Sequence, residues 1–477
     1  DMVDMDRFHI GKVPNEFTAH MMGIPLQSGY IQFVPAGVRA TLSYPAPIQT
    51  AKDFENALKS DLYLRLVKKL GEREVLSILR EDAAHHGSPV KHVLEQLEKG
   101  TKKQFQVSYS YLSGTYPDGL PYHGVIAVLN YKKTAWNFAA VSAQGRPRTV
   151  LQFFKGFQKQ TGYNAQIAWN GGYILNSELV GKLGLPESYV GSPLGLLISE
   201  GRMISPPLFH KPALLVYKDG SIRIQRVNVS LGLSVVWRKR TITFHKNAYN
   251  RSGSQDGSAY YDLLYGQRDI EGNGRILVRI SGHVVKEIVV TRKGESIALI
   301  PAGITLALEP KELPQGAKAG DVLEISMDEF KEVEHAVEAG PLLLYEGKPS
   351  IDMEAEGWKT LNSIQSQAAR LDYTDMRGPK IAVGINARQE LAVLAINGRI
   401  RESVGATHQE MAEILQQQGM ETAMGFDPGG SSTLVVEGKT LNISPYNSTY
   451  EKDVYALPPE PRAVSNAMIG YIKNNAT

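Results

Sequence analysis

Met424-Gly425-Phe426-Asp427-Pro428-Gly429-Gly430-Ser431-Ser432-Thr433 leads from an apolar strand over 423–426 to a second over 433–437, through a turn bearing one carboxylate, two glycines and two hydroxyls. A carboxylate at a strand end, followed by residues with little side-chain bulk, lets backbone amides approach a ligand closely. Successive exposed N–H groups can also form an anion-binding concavity. The same letters read equally well as a hairpin turn whose Asp accepts turn amides.

Working outward, a strand over 391–396 and an amphipathic helix over 409–418 precede this segment, so the C-terminal third mixes the two periods. Earlier in the chain come a strand over 125–131, a helix over 149–161 that stops at Gly162, and an apolar strand over 165–169. The text from Ala213 is a hairpin with Asp219-Gly220 near its turn, and further strands are expected at 241–245, 276–280, 283–290, 296–301 and 322–327. No internal repeat is visible. Strand–helix–strand text surrounded by hairpins predicts an α+β fold, a large mixed β-sheet with flanking helices, over residues 104–477.

Residues 1–103 read differently. Irregular Pro and Gly over 1–50 suggest an extended arm with a short strand at 30–34, whereas Phe54, Ala57, Leu58, Leu62, Leu66 and Leu70 recur at helical steps. A second helix is expected over 72–82. A third starts at Ser88-Pro89, giving a small helical appendage. Its histidines, His85, His86 and His92, lack neighbouring ligands at metal spacing and read as surface residues.

Hydrophobic residues make up 42% of the 477 and charged ones 21%, which excludes a disordered chain. Lys and Arg exceed Asp and Glu by 52 to 49, a net charge of +3 that argues against a nucleic-acid partner. The absence of Cys excludes disulfides, thiolate nucleophiles and Cys-ligated metals. No cofactor is called for, and no ligand cluster demands a metal. No apolar run is long enough for a membrane span. The chain opens on Asp1 without a start Met or export signal, consistent with a trimmed chain or a mature exported one. A secreted, periplasmic or cell-envelope location is expected.

Four further segments carry chemistry. Asn170-Gly171-Gly172-Tyr173 sets an amide and an aromatic ring at a strand end, suited to sugar hydroxyls and a pyranose face, with a plain N-G-G turn as the alternative. Asn397-Gly398-Arg399 and Pro461-Arg462 each place a guanidinium beside a strand, where it can grip phosphate bidentately or simply meet solvent. Thr407-His408-Gln409-Glu410 is a capping box, which by itself accounts for Glu410; His408 stands one position inside the helix. P-loop, zincin and G-x-S-x-G elbow motifs are absent.

Taken in order, N-G-G-Y at 170–173, P-A-G-I-T-L-A-L at 301–308, A-G-D-V-L at 319–323, A-G-P-L-L-L-Y-E-G-K at 339–348, I-A-V-G-I-N-A-R-Q-E-L at 381–391, N-G-R at 397–399, S-V-G-A-T-H-Q-E-M-A-E-I-L at 403–415, D-P-G-G-S-S-T-L at 427–434 and P-R-A-V-S-N-A at 461–467 resemble the phosphodiester glycosidase family. The resemblance covers roughly 104–471. It implies a hydrolase that cleaves the anomeric C1–O bond of a sugar-1-phosphodiester, GlcNAc-1-phosphodiester-like. It further implies a pocket lined by Asn170, Gly171, Tyr173, Arg377, Arg399, Asp427, Gly429, Gly430, Ser431 and Arg462. Asp427 is the expected catalytic carboxylate, with Glu410 a second candidate and Glu338 a third, and His408 is a further substrate-binding candidate. The chain departs from the family in reading D-P-G-G-S for D-G-G-G-S, N-G-R for D-G-R and Lys380-Ile381 for a basic-Thr pair. Two other readings keep the pocket: a glycosidase of a non-phosphate linkage in a surface or exopolysaccharide, and a non-catalytic carbohydrate-binding envelope protein.

Overall fold

The computed structural model describes residues 107–132, 136–143, 146–253, 255–300, 302–358, 375–400, 403–445 and 461–473, and the backbone of the paired strands Tyr30–Phe33 and Ala40–Ser43. The expected helical appendage over 51–103 lies outside these residues.

Two antiparallel sheets form the half of the molecule that carries the site. One has seven strands, with Leu342–Tyr345, Thr422–Gly425, Lys380–Ile385, Glu390–Ile396, Pro121–Asn130 and Ser108–Thr115 in spatial order after a short edge strand. The other has five, with Leu434–Val436, Asn164–Asn170, Asn466–Ile472 and Trp136–Ser142 in spatial order, again after a short edge strand. They pack face to face, and each is covered on its outer side by one helix. Alternation within a strand shows how. In Glu390–Ile396, Leu391, Val393 and Ala395 face the inter-sheet core, while Ala392, Leu394 and Ile396 meet Met411, Ala412 and Leu415 of the helix His408–Gln417. In the five-stranded sheet, Ile167 and Trp169 face inward and Ala168 and Ile469 meet Phe153 and Phe154 of the helix Val150–Thr161. Burial on both faces is why these strands read as continuous apolar runs.

Both helices are built as their sequences specify. Thr149 and Gln152 close a capping box at the first, which ends on Gly162 in the left-handed region at φ 72°. Thr407 and Glu410 close the other. Each helix links two strands that flank a third: Trp136–Ser142 and Asn164–Asn170 enclose Asn466–Ile472, and Glu390–Ile396 and Thr422–Gly425 enclose Lys380–Ile385. All named ladders are antiparallel, so the sheets are not mixed in direction as expected. An intervening strand satisfies the hydrogen bonds that two parallel strands would otherwise have exchanged.

The chain between Gly171 and Leu342 forms a second sheet-rich portion. An eight-stranded sheet containing Pro212–Tyr217 and Val333–Glu338 packs on a four-stranded one through Leu215, Val235, Trp237, Tyr260, Val278, Ile280 and Leu306. The predicted hairpin is present, pairing Pro212–Tyr217 with Ile222–Arg226. Val333–Glu338 runs on through Ala339, Gly340 and Pro341 into the seven-stranded sheet, where Gly340 N donates to Gly425 O at 2.8 Å. No helix among the described residues is long and apolar enough to cross a membrane.

Candidate active site

The D-P-G-G-S-S segment is not a hairpin turn. Thr422–Gly425 belongs to the seven-stranded sheet and Leu434–Val436 to the five-stranded one, so the segment between them crosses from one sheet to the other. Asn170-Gly171-Gly172 meets it there: Asp427 N donates to Gly171 O at 3.1 Å, and Asn170 Nδ2 donates to Asp427 O at 2.9 Å. The other end of the Asn170 amide accepts from Thr433 N at 3.0 Å. Beneath the two turns Trp169 and Phe426 pack edge to face, ring centres 6.1 Å apart. Gly171 has no space for a side chain, since a Cβ there would fall 1.7 Å from Asn466 Oδ1. That oxygen accepts from Gly172 N at 2.9 Å.

Arg399 approaches the turn from the seven-stranded sheet. A Cβ built on Gly429 would lie 3.5 Å from its Nη2, and Nη1 donates to Pro445 O at 3.1 Å. Arg399 has φ 58° and Gly429 φ 72°, so both residues occupy the left-handed region, where a non-glycine residue is strained. Gly429 N donates to Pro379 O at 2.9 Å, so that amide is committed to the fold. Gly430 and Ser431 follow it in a buried single turn. Gly398 is required because a Cβ there would meet Pro379 N at 2.3 Å. Asn397 is buried and accepts from Ile443 N at 2.7 Å, a bond that a carboxylate would also accept.

Lys380 lies within reach of the Arg399 charge, and His408 within reach of the Lys380 charge. Lys380 Nζ donates to Met376 O at 3.0 Å and is 1% exposed; burial and the Arg399 charge bring its pKa down to about 7. His408 is fully enclosed, and neither ring nitrogen has a hydrogen-bond partner among the described residues. Its Nε2 would lie 3.1 Å from a Cβ on Gly425, two positions before Asp427. Burial and the nearby Lys380 charge hold it neutral, its pKa well below the usual histidine value.

Several residues expected in the pocket have other partners. Glu410 accepts from Thr407 N at 2.8 Å and receives Arg377 Nη2 at 2.6 Å. Arg377 also pairs with Asp118 and lies 4.0 Å over the Tyr116 ring. Tyr173 donates to Gly340 O at 3.1 Å, and its ring packs edge-on against Trp358, 8% exposed, so it offers no open platform for a sugar. Arg462 is half-buried in the segment leading to Asn466.

Two residues that the sequence reading did not place at the site are Lys211 and Trp358. Lys211 is fully buried, and Asp427 is among the acids whose charge acts on it. The available signal was a lysine at the mouth of the apolar run Pro212–Tyr217; Lys380 opens Lys380–Ile385 in the same way.

The crossover that carries Asp427 thus has the Arg399 guanidinium close to its Gly429, and the buried Lys211 is within reach of the Asp427 charge. Residues 270–469 match the phosphodiester glycosidase family. The match includes Asp427, Arg399, Lys380 and His408 and leaves Asn170–Tyr173 and Lys211 outside. No curated protein matches significantly. Similar solved structures include the catalytic domain of zebrafish N-acetylglucosamine-1-phosphodiester α-N-acetylglucosaminidase, auto-inhibited by its pro-peptide, at 14% identity and TM-score 0.41 over 78% of this chain and 85% of that one. A hypothetical protein from Synechocystis is 17% identical at TM-score 0.47, over 77% of this chain and 62% of that one, so this chain spans less than two thirds of its length. A Burkholderia pseudomallei protein described as exported is 15% identical at TM-score 0.45, over 96% of this chain and 88% of that one.

Proposed function

We propose that residues 104–477 form a hydrolase unit that cleaves the anomeric C1–O bond of a sugar-1-phosphodiester. The observation that carries this reading is the approach of the Arg399 guanidinium to Gly429, two residues beyond Asp427, close enough that a Cβ there would lie 3.5 Å from its Nη2. The family match over 270–469 supports the reaction class.

In this reading Asp427 stabilises the positive charge that develops at C1, or activates the attacking water. Arg399 takes the phosphate oxygens bidentately, and the nearby Lys380 charge adds to the local field. A phosphate monoester departs more readily than a sugar alkoxide, so cations can take over much of a general acid's work. The engagement of Glu410 by Arg377 and Thr407 fits a site with one principal carboxylate. Asn170, Gly171 and Asn466 orient the two turns, and Gly430 and Ser431 border the phosphate position.

The test is proton NMR of the full chain with the methyl diester of GlcNAc-α-1-phosphate beside a plain aryl glycoside. Release of free sugar from the diester alone supports the reading. Hydrolysis of the glycoside alone, or of neither, overturns it.

A further inference from the structure

Arg377 opens the short run Arg377-Gly378-Pro379 that leads into the strand Lys380–Ile385. The family resemblance puts it in the pocket lining, but all three of its side-chain nitrogens already donate to carboxylates. Nε donates to Glu410 Oε1 at 2.9 Å, Nη2 to the same oxygen at 2.6 Å and Nη1 to Asp118. Its Cζ lies 4.0 Å from the centre of the Tyr116 ring, and the Tyr116 hydroxyl donates to Gly405 O at 2.7 Å. Two carboxylates against one guanidinium leave an excess of negative charge, which repels a phosphate rather than drawing one in.

The clamp is tied to the backbone beside it. Gly378 O accepts from Ala406 N at 3.0 Å, and Gly378 N donates back to Ala406 O at 3.4 Å. Ala406 adjoins Thr407, whose N donates to Glu410 Oε2 at 2.8 Å, so the contacts run in a ring from Arg377 through Glu410 and back. Pro379, the next residue, lies between the segments that carry the two charges of the site. Its O accepts from Gly429 N at 2.9 Å, two residues beyond Asp427. Its N is packed against Gly398, the neighbour of Arg399, so closely that a Cβ on Gly398 would collide with it. A Cβ on Gly405 would likewise collide with Gly378 O. Glycine permits these approaches and leaves no side chain there to hold them, so the holding falls to side chains at the margin.

We propose that Arg377 is a positioning residue: clamped by Glu410, Asp118 and Tyr116, it fixes the Gly378-Pro379 backbone that sets the Asp427 turn against Arg399.

This inference rests on Asp427 and Arg399 as the working pair, so it is tested both with and without turnover. Arg377→Gln removes both charge-assisted pairs, and Arg377→Lys keeps the charge between the carboxylates but loses the fork. In hydrogen exchange of the full chain without substrate, read by mass spectrometry from overlapping peptides, the Gly429 amide should exchange about tenfold faster in Arg377→Gln. Amides of the strand Glu390–Ile396 should keep the parent rate. With the methyl diester of GlcNAc-α-1-phosphate, the same variant should lose about tenfold to a hundredfold in kcat, with KM within about twofold of the parent, because the binding groups remain and only their spacing is lost. Arg377→Lys should show the same pattern at smaller size, and it decides on the same readouts if Arg377→Gln does not fold. An unchanged Gly429 exchange rate overturns the proposal, and so does equal acceleration in the strand, the mark of a general loss of stability. A rise in KM with kcat kept, the signature of a phosphate ligand, also overturns it. If the parent chain hydrolyses no diester, the functional reading fails while the Gly429 exchange still decides this one.

Discussion

Asn170 reaches across the interface between the two sheets and donates its side-chain amide to the main-chain oxygen of Asp427, a residue 257 positions away, at 2.9 Å. The amide oxygen at its other end accepts from Thr433 N on the far side of the same turn. One buried side chain thus clamps the Asp427 segment at both ends, and the carboxylate projects from a backbone that is held fixed.

Replacing Asn170 by Ala should therefore lower stability by about 2–4 kcal/mol, since two buried backbone groups lose their partners. It should also lower kcat, because the carboxylate is no longer held. Urea denaturation and steady-state kinetics check the two effects. A kcat loss without a stability loss would show that the clamp does not hold the fold.

Asp427→Asn keeps the size and the backbone bonds of the residue and removes its charge. It should fold with an unchanged far-UV circular dichroism spectrum and lose about 10³-fold in kcat. Activity within a few-fold of the parent would remove Asp427 from the mechanism.

Arg399→Lys keeps the charge and loses the planar fork. KM for a sugar-1-phosphodiester should rise about tenfold, with a smaller change for any substrate lacking phosphate. Equal changes for both kinds of substrate would count against phosphate recognition by Arg399.

Glycines in this chain differ sharply in what they tolerate. Gly171→Ala would press a methyl group to 1.7 Å from Asn466 Oδ1 and should break the paired turns. Gly181→Ala, in the helix Ser177–Lys182 with open space around it, should stabilise by about 0.5–1 kcal/mol. Thermal unfolding of the two variants should move in opposite directions.

Lys380 has a folded pKa of about 7 against an ordinary value of 10.5. Between these two pH values the unfolded chain binds the proton more readily, so the Lys380 contribution to stability rises with pH through this window and is flat on either side. Lys380→Met should remove that slope and be relatively more stable at neutral pH than at pH 10. Urea midpoints of both proteins from pH 6 to 11 test this, and parallel curves would show that Lys380 does not titrate in the window.

What the sequence made legible follows from physical range. Although its Thr149–Gln152 capping box was not read, the helix over 149–161 was readable because its apolar period and its stop at Gly162 act within a few residues of one another. The same holds for Thr407 with Glu410, and for Asp219-Gly220 between strands that pair directly. Asp427, Asn170 and Arg399 stood out because turns rich in glycine mark close approaches of backbone. Their local context left hairpin turns as the alternative for both glycine pairs, and only the sheet assignments of Thr422–Gly425 and Leu434–Val436 show that the later segment is a crossover. Lys211 could not be placed, because the rings around it, Tyr173, Phe209 and Trp358, come from separate stretches of chain. The capping box at Glu410 was legible, but its engagement with Arg377, 33 positions away, was not.

The strand Asn466–Ile472 fills the gap between Trp136–Ser142 and Asn164–Asn170, and Asn466 supports the Gly171-Gly172 turn. It is the last of the described strands in chain order. A polypeptide emerging from the ribosome would therefore carry Asp427, Arg399 and Lys211 for some time with no site to put them in, its five-stranded sheet open along the middle. The Gly171-Gly172 turn gains its Asn466 support only once that strand has slotted home, so the late-made strand finishes what the early ones began.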